Sequence, residues 1–190
     1  MDCVIARPIA NGMGVPELSL EDITLRSQLE AHHAESYGWA LSCCRGSREE
    51  AENVLQIVYL KVLAGLAVFD GRSSFKTWLF SVIRQTAAGE RRTELFHRLR
   101  LMEFFTRHSK VHEGLRAKDP AWPNEVQEEL RRALLKLPIR QREVLHLVFY
   151  HDLSIQEAAK VMGVGTGSAR THYERGKRQM RRYLEAEGKR

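Results

Sequence analysis

The cationic side chains Arg170, Arg175, Lys177, Arg178, Arg181 and Arg182 cluster near the C-terminus with one acid, Glu174, among them. Guanidinium and ammonium groups neutralise phosphates, and an arginine fork can also read the edge of a guanine. The small polar residues Thr166 and Ser168 stand just before them. A second group interleaves the bases Arg72, Lys76, Arg84, Arg91 and Arg92 with the aromatics Phe75, Trp78 and Phe80. Such a pattern suits stacking on unpaired bases while screening their phosphates. Core packing is the competing role: Trp78 and Phe80 read as core, whereas Phe75, beside a loop, fits either. A third group, Glu49, Glu52, Asn53, Gln56 and Lys61, forms a polar row available to a partner. No catalytic residue is expected. The serines sit at capping or loop positions, the acids have helix-surface spacing, and no nucleotide-binding glycine loop is present. His108 and His112 have the spacing of a metal pair but lack a third ligand nearby, so neither metal nor cofactor is expected.

These groups need rigid elements to aim them. Ser154 and Glu157 spell a capping box, and Ile155, Ala158, Ala159 and Met162 form an inward stripe with two small residues for close helix approach. Gly163 ends that helix where a positive φ is needed, Val164 plugs the turn, and Thr166 is the expected N-cap of the next helix. In that helix Ala169, Tyr173, Gly176, Met180 and Tyr183 mark the buried side, opposite the bases. A capped helix, a glycine turn and a basic second helix make a helix-turn-helix, which places its second helix in a DNA major groove.

Upstream, residues 1–18 read as a flexible tail. Ser19 with Asp22 opens a helix expected to run to about Cys44, where Gly46 and Ser47 break it. The acid-rich start of REEAENVLQIVYLKVLAGL suits a helix N-terminus, and Val54, Leu55, Val58, Leu60, Val62 and Leu63 are its expected buried side. The loop FDGRSS leads to a third helix, FKTWLFSVIRQTAAGERR. Residues 97–123, with two prolines near their end, read as a linker. From Asn124 a helix runs to Pro138, and Arg140 to Tyr150 forms the next, with Val144, Leu145, Val148 and Phe149 expected inward. The expected fold is all-α: two small helical domains, 19–96 and 124–187, joined by a flexible linker, the second a helix-turn-helix.

Within 190 residues and a net charge of +6, the basicity is unevenly placed. Residues 1–97 carry 10 basic and 12 acidic side chains, net −2; residues 98–123 carry net +3 and residues 124–190 net +5. Charge therefore favours a polyanionic partner for the C-terminal half. The three cysteines form no CxxC pair, so reduced thiols are expected. With no apolar run of membrane-spanning length and no signal peptide, a cytoplasmic protein without membrane insertion is expected.

The stretches EEAENVLQIVYLKVL, FDGRSSFKTWLFSVIRQ and LKLPIRQREVLHLVFYHDLSIQEAAKVMGVGTGSARTHYERGKRQMRRYL resemble, in this order, the extracytoplasmic-function sigma factors of the bacterial sigma-70 family. Many regulators carry a similar helix-turn-helix; its pairing with GRSSFKTWL upstream makes the likeness specific. The resemblance implies a subunit that docks on core RNA polymerase and directs it to promoter DNA. In the family the second helix of the first domain lies on the polymerase clamp, which implies polymerase contacts for Glu49, Glu52, Asn53 and Gln56. Capture of the unpaired minus-ten strand falls to Arg72, Ser73, Ser74, Phe75, Lys76, Trp78, Arg84 and Gln85. Reading of the minus-35 duplex falls to Thr166, Ser168, Arg170, Thr171, His172, Glu174, Arg175 and Arg178. The linker would thread toward the polymerase active centre, and an anti-sigma factor is an implied partner.

The chain departs from the family pattern at several positions. Asn53 stands where Asp is common and Ile57 where an acid is, so the clamp contact is less acidic or shifted. Gln85 replaces a usual Asn and Gly89 a usual Asp, so minus-ten preference is not transferable. His172 replaces a frequent Arg. Gly176 replaces a frequent Ala, which either softens the helix, at about 1 kcal/mol, or admits a close neighbour. Two other function classes compete. A stand-alone dimeric helix-turn-helix regulator would need a dimer seam or a sensing pocket, and a DNA-processing enzyme would need a catalytic constellation; neither has a signature here.

Overall fold

The computed structural model describes residues 20–105 and 132–187. Every regular element among them is helical: α1 (Leu20–Ala31), α2 (His33–Cys43), α3 (Arg48–Leu63), α4 (Phe75–Phe105), α5 (Ile139–Phe149), α6 (Ile155–Met162) and α7 (Thr166–Glu187). Residues 132–135 are helical as well. The all-α class with a C-terminal helix-turn-helix is thus as expected. The expected tail, Ser19, the His108–His112 pair and the helix start at Asn124 lie outside the described residues. So do residues 106–123 of the expected linker, whereas 97–105 belong to α4.

The first expected helix is two helices. The chain leaves helical geometry at His32 (φ −100°, ψ 7°), whose ring bonds Glu35 Oε2 at 3.1 Å and stacks on Phe75 at 5.9 Å. Contacts with a residue distant in sequence therefore accompany a break that no glycine or proline marks. Beyond α2, Arg45 and Gly46 take positive φ and turn the chain back. Ser47 Oγ then accepts the Glu50 N–H at 3.3 Å, capping α3.

Helices α2, α3 and α4 pack together around Trp39, which is fully buried and donates from Nε1 to the Phe80 carbonyl at 3.0 Å. That bond satisfies the one polar atom of a large apolar side chain, as burial requires. Helices α5, α6 and α7 form the second packing group, and α4 packs also on α6. One continuous core results, in which Trp39, Val58, Leu79, Phe80 and Ile83 join Val144, Leu147, Leu153, Ala158 and Met162. The small Ala158 permits the close approach of α6. A second, smaller core joins Leu134, Leu137 and Leu145 to Tyr173, Met180 and Tyr183.

Three expected core positions are corrected. Leu60 is 68% exposed and Leu63 is also exposed, because α2 and α4 cover only the Ala51–Val54–Leu55–Val58–Val62 side of α3. Phe149 is 60% exposed at the end of α5, stacked on Tyr173 at 5.9 Å, and Leu147 takes the buried place. Gly176 admits a close neighbour. A Cβ there would lie 3.1 Å from Leu145 Cδ1 and 3.3 Å from Gln141 Cβ, so α7 and α5 approach more closely than Ala allows without a shift.

Candidate functional site

The helix-turn-helix is built as its residues dictate. Ser154 Oγ accepts the Glu157 N–H at 3.2 Å, and Glu157 Oε2 accepts the Ser154 N–H at 2.9 Å, closing both halves of the capping box. Ser154 Oγ also donates to Glu157 Oε2 at 2.7 Å, and this bond, then the one from the Ser154 N–H, holds the Glu157 carboxyl below its ordinary range. Gly163 ends α6 in the left-handed region (φ 65°, ψ 40°), where its lack of a Cβ avoids strain. Val164 packs against the main core and so fixes the turn. One expectation shifts by a residue: α7 already includes Thr166, so Gly165 precedes the helix, and its carbonyl accepts the Ala169 N–H at 3.0 Å.

On α7, Ala169 and Gly176 are buried, and Arg170, Arg175, Lys177, Arg178, Arg181 and Arg182 are all exposed. Thr166, Ser168, Thr171 and Glu174 share that exposure, and His172 is half-buried. Thr171 Oγ donates to the Gly167 carbonyl at 3.0 Å, so its hydroxyl proton is already committed within the helix. The ammonium of Lys177 lies 5.1 Å from the Tyr173 ring, whereas the arginines of this face have no partner among the described residues. A helix with such a face can enter a major groove without rearrangement.

The second nucleic-acid group is differently placed. Asp70 Oδ1 accepts the Arg72 N–H at 3.1 Å and Gly71 takes a positive φ, shaping the loop before α4. Ser74 Oγ accepts the Thr77 N–H at 3.2 Å, so Ser74 is the cap of α4. Phe75, open to either role by sequence, is buried against Phe69 and Trp78. Trp78 stays half-buried and is the aromatic of this group with an accessible edge. Gln85 is exposed. Arg84 is not open. It donates from Nε to Glu143 Oε1 at 2.9 Å and from Nη2 to Oε2 at 3.3 Å, with side-chain exposures of 17% and 8%. Lys76 donates to Glu35 at 2.7 Å and to the His151 carbonyl at 2.9 Å, and Lys160 donates to the Arg72 carbonyl at 3.2 Å. The C-terminal half thus occupies much of the basic face of α4.

Around these bonds Trp39 and Phe80 meet the imidazoles of His146 and His151, with centroids of His151 and Phe80 4.6 Å apart. Burial lowers His146 to about 3 and His151 to about 4, so both are neutral near pH 7. Glu143, His146, His151 and Lys160 were not foreseen as site residues. The usable signal was Glu143, an acid beside Val144 and one turn before Leu147 on the buried side of the helix, where a charge needs a partner.

The third group, Glu49, Glu52, Asn53 and Gln56, is exposed along α3. Cys43 and Cys44 are buried, which pushes both thiols up, Cys44 to about 11, and leaves them protonated and unreactive. Among the described residues no cluster of His, Cys, Asp and Glu could hold a metal, and no helix is long and apolar enough to cross a membrane.

Comparison with known proteins agrees with this architecture. The family model of sigma-70 region 2 matches residues 29–94, and that of sigma-70 region 4 matches residues 127–180. The chain is 30% identical over 164 residues to the ECF RNA polymerase sigma factor SigX of Bacillus subtilis (strain 168), spanning 85% of this chain and 84% of SigX. It is also 30% identical over 142 residues to the RNA polymerase sigma factor YlaC of the same organism, spanning 72% and 78%. The sigma factor RpoE of Bartonella quintana, solved with the anti-sigma factor NepR, shares the fold at a TM-score of 0.62 and 20% identity, over 85% of this chain and 97% of that one. With both regions matched in order and a basic helix-turn-helix exposed, the chain belongs to the extracytoplasmic-function sigma factors, the sigma-70 family subunits that give RNA polymerase its promoter recognition.

Proposed function

We propose that this sigma factor divides its work among three surfaces. The row Glu49, Glu52, Asn53 and Gln56 on α3 docks on core polymerase. The loop before α4 and the first turns of α4, with Arg72, Ser73, Lys76, Trp78, Arg84 and Gln85, hold the unpaired minus-ten strand, stacking bases on Trp78 while Ser74 and Phe75 shape the loop from within. The start of α7, through Thr166, Ser168, Arg170, Thr171, His172, Glu174, Arg175 and Arg178, reads the minus-35 duplex. The chain works in the cytoplasm, as domains 19–96 and 124–187 around the connection 97–123. It adds no catalysis or cofactor of its own.

The observation that carries this reading is the α7 face, where every arginine is exposed while Ala169 and Gly176 are buried behind a capped helix and a left-handed turn. Arginine near a recognition-helix N-terminus supplies base and phosphate contacts worth about 1–3 kcal/mol for a good bidentate pair. The ties on Arg72, Lys76 and Arg84 support a further step: the two halves separate on polymerase before the minus-ten strand is held. An anti-sigma factor, of the kind seen with RpoE of Bartonella quintana, acts by opposing that separation. Promoter binding by the full chain, measured with and without core polymerase, tests the proposal. Sequence-specific binding is expected only with polymerase. Tight specific binding by the free chain would replace the proposal with a stand-alone regulator.

A further inference from the structure

A cavity of about 440 Å³ lies between α2 of the first half and α5 of the second. Its walls are mainly apolar, from Leu41 of one half and Leu134 of the other, over a floor left open by Gly38. This volume falls in the range of small-molecule sites, which combine apolar walls with a few convergent polar groups. His151 is 5% exposed, and neither of its ring nitrogens has a hydrogen bond; His146 Nδ1 has none either. These nitrogens have almost no accessible area, so the imidazoles wall the cavity as neutral rings and do not themselves bond a ligand.

The charges specify what kind of ligand. Arg142 and Arg45 both line the cavity. Burial, and then the Arg45 guanidinium, hold Arg142 below its ordinary range. The nearby acid Glu143 is committed to Arg84 and Arg140, and Glu35 on the same wall is committed to Lys76 and His32. A half-buried guanidinium whose nearby described acids are already paired elsewhere, beside a second guanidinium, is a site for an anion.

We infer that the cavity between α2 and α5 is a binding site for an amphipathic monocarboxylate, with its apolar body against Leu41 and Leu134 and its carboxylate at Arg142, beside the His146 and His151 rings. Because each half supplies part of the wall, the bound molecule opposes their separation. That consequence rests on the proposed minus-ten role of α4; the site itself does not.

The test uses the full chain and decanoate, with decanol as the uncharged control, and follows the imidazole Cε1–H resonances of His146 and His151 by NMR. No polymerase or promoter enters, so failure here is distinct from failure of the sigma-factor surfaces. Decanoate is expected to shift both resonances saturably, decanol at least tenfold more weakly, and Arg142→Gln to reduce the decanoate affinity at least tenfold. Gly38→Leu, which fills the floor, is expected to abolish the shifts. Ala34→Leu, at an exposed position one turn earlier on the same wall, serves equally should Gly38→Leu not fold. Unshifted histidines, equal binding of decanol, or undiminished binding in the filled variants would overturn the site.

Discussion

The two basic faces of this sigma factor carry similar residues in opposite states. On α7 the arginines face solvent and hold no partner among the described residues that DNA would have to displace. On α4 and its loop, Arg84 is paired to Glu143, Lys76 to Glu35 and the His151 carbonyl, and the Arg72 carbonyl accepts from Lys160. The difference is one of order. Under the proposed roles, a duplex face open from the start can search, whereas the proposed strand-capture face, covered by the other half, is to be released later. Unpaired bases exist only after melting, so a face covered until then loses nothing and avoids idle polyanion binding. Two modest modules also gain avidity only when polymerase holds both at the right spacing.

The strongest way to break this contrast is Glu143→Ala. Removing one partner of a buried ion pair strands the other, at a cost of about 3–5 kcal/mol to any arrangement that keeps it buried. The expected outcome is separation of the halves with each helical core intact, read as a larger radius of gyration by X-ray scattering at unchanged helicity. An unchanged radius would mean that the apolar core alone holds the halves together. Next in size is the open face. Arg170→Ala or Arg175→Ala should cost about 1–3 kcal/mol of polymerase-dependent promoter affinity and relax preference at one minus-35 base if the contact is bidentate to guanine. Arg178→Ala should weaken all sequences alike and lower the salt slope by about 1. These are read by binding to a minus-35 library over a salt series.

Acid should loosen the covered face and leave the open one unaffected. His146 and His151 have pKa values near 3 and 4 while the halves are packed, against about 6.5 once freed. A group whose pKa is depressed in the packed state binds more protons when released, so stability from packing is full above pH 6.5 and is lost as pH falls toward 4. Lys76 and Arg142 reinforce the shift, and Glu35 and Asp152 oppose it. The radius of gyration should therefore rise between pH 6.5 and 4, and the histidine-to-glutamine double variant should flatten that rise. The smallest effect is on α3. Glu52→Ala with Gln56→Ala should change stability by no more than about 0.5 kcal/mol, since both side chains are exposed, yet weaken polymerase association. Unchanged association would remove that row from the docking surface.

Local devices were legible in the sequence. The Ser154–Glu157 box, the Gly163 turn and the Ala169–Tyr173–Gly176 stripe follow from spacing and backbone conformation, which involve only near neighbours. What periodicity could not convey is which neighbour covers a face. Leu60 and Leu63 continue the apolar pattern of α3 past the reach of α2 and α4, and Phe149 ends α5 beyond its main contacts. The Arg84–Glu143 pair joins residues 59 apart, and no local rule links two charges at that distance. Phe75 stayed ambiguous for the same reason, since its burial depends on His32 and Phe69 from other segments.

The most direct test of the covered-face account is the distance between the halves in the full chain. Spin labels carried by unnatural amino acids at the exposed positions Glu30 and Glu185 leave the buried cysteines untouched. Pulsed dipolar spectroscopy should show one short, narrow distribution for the free chain and a longer one when core polymerase is bound. A free chain already spread over long distances, or a distribution that polymerase leaves unchanged, would contradict it.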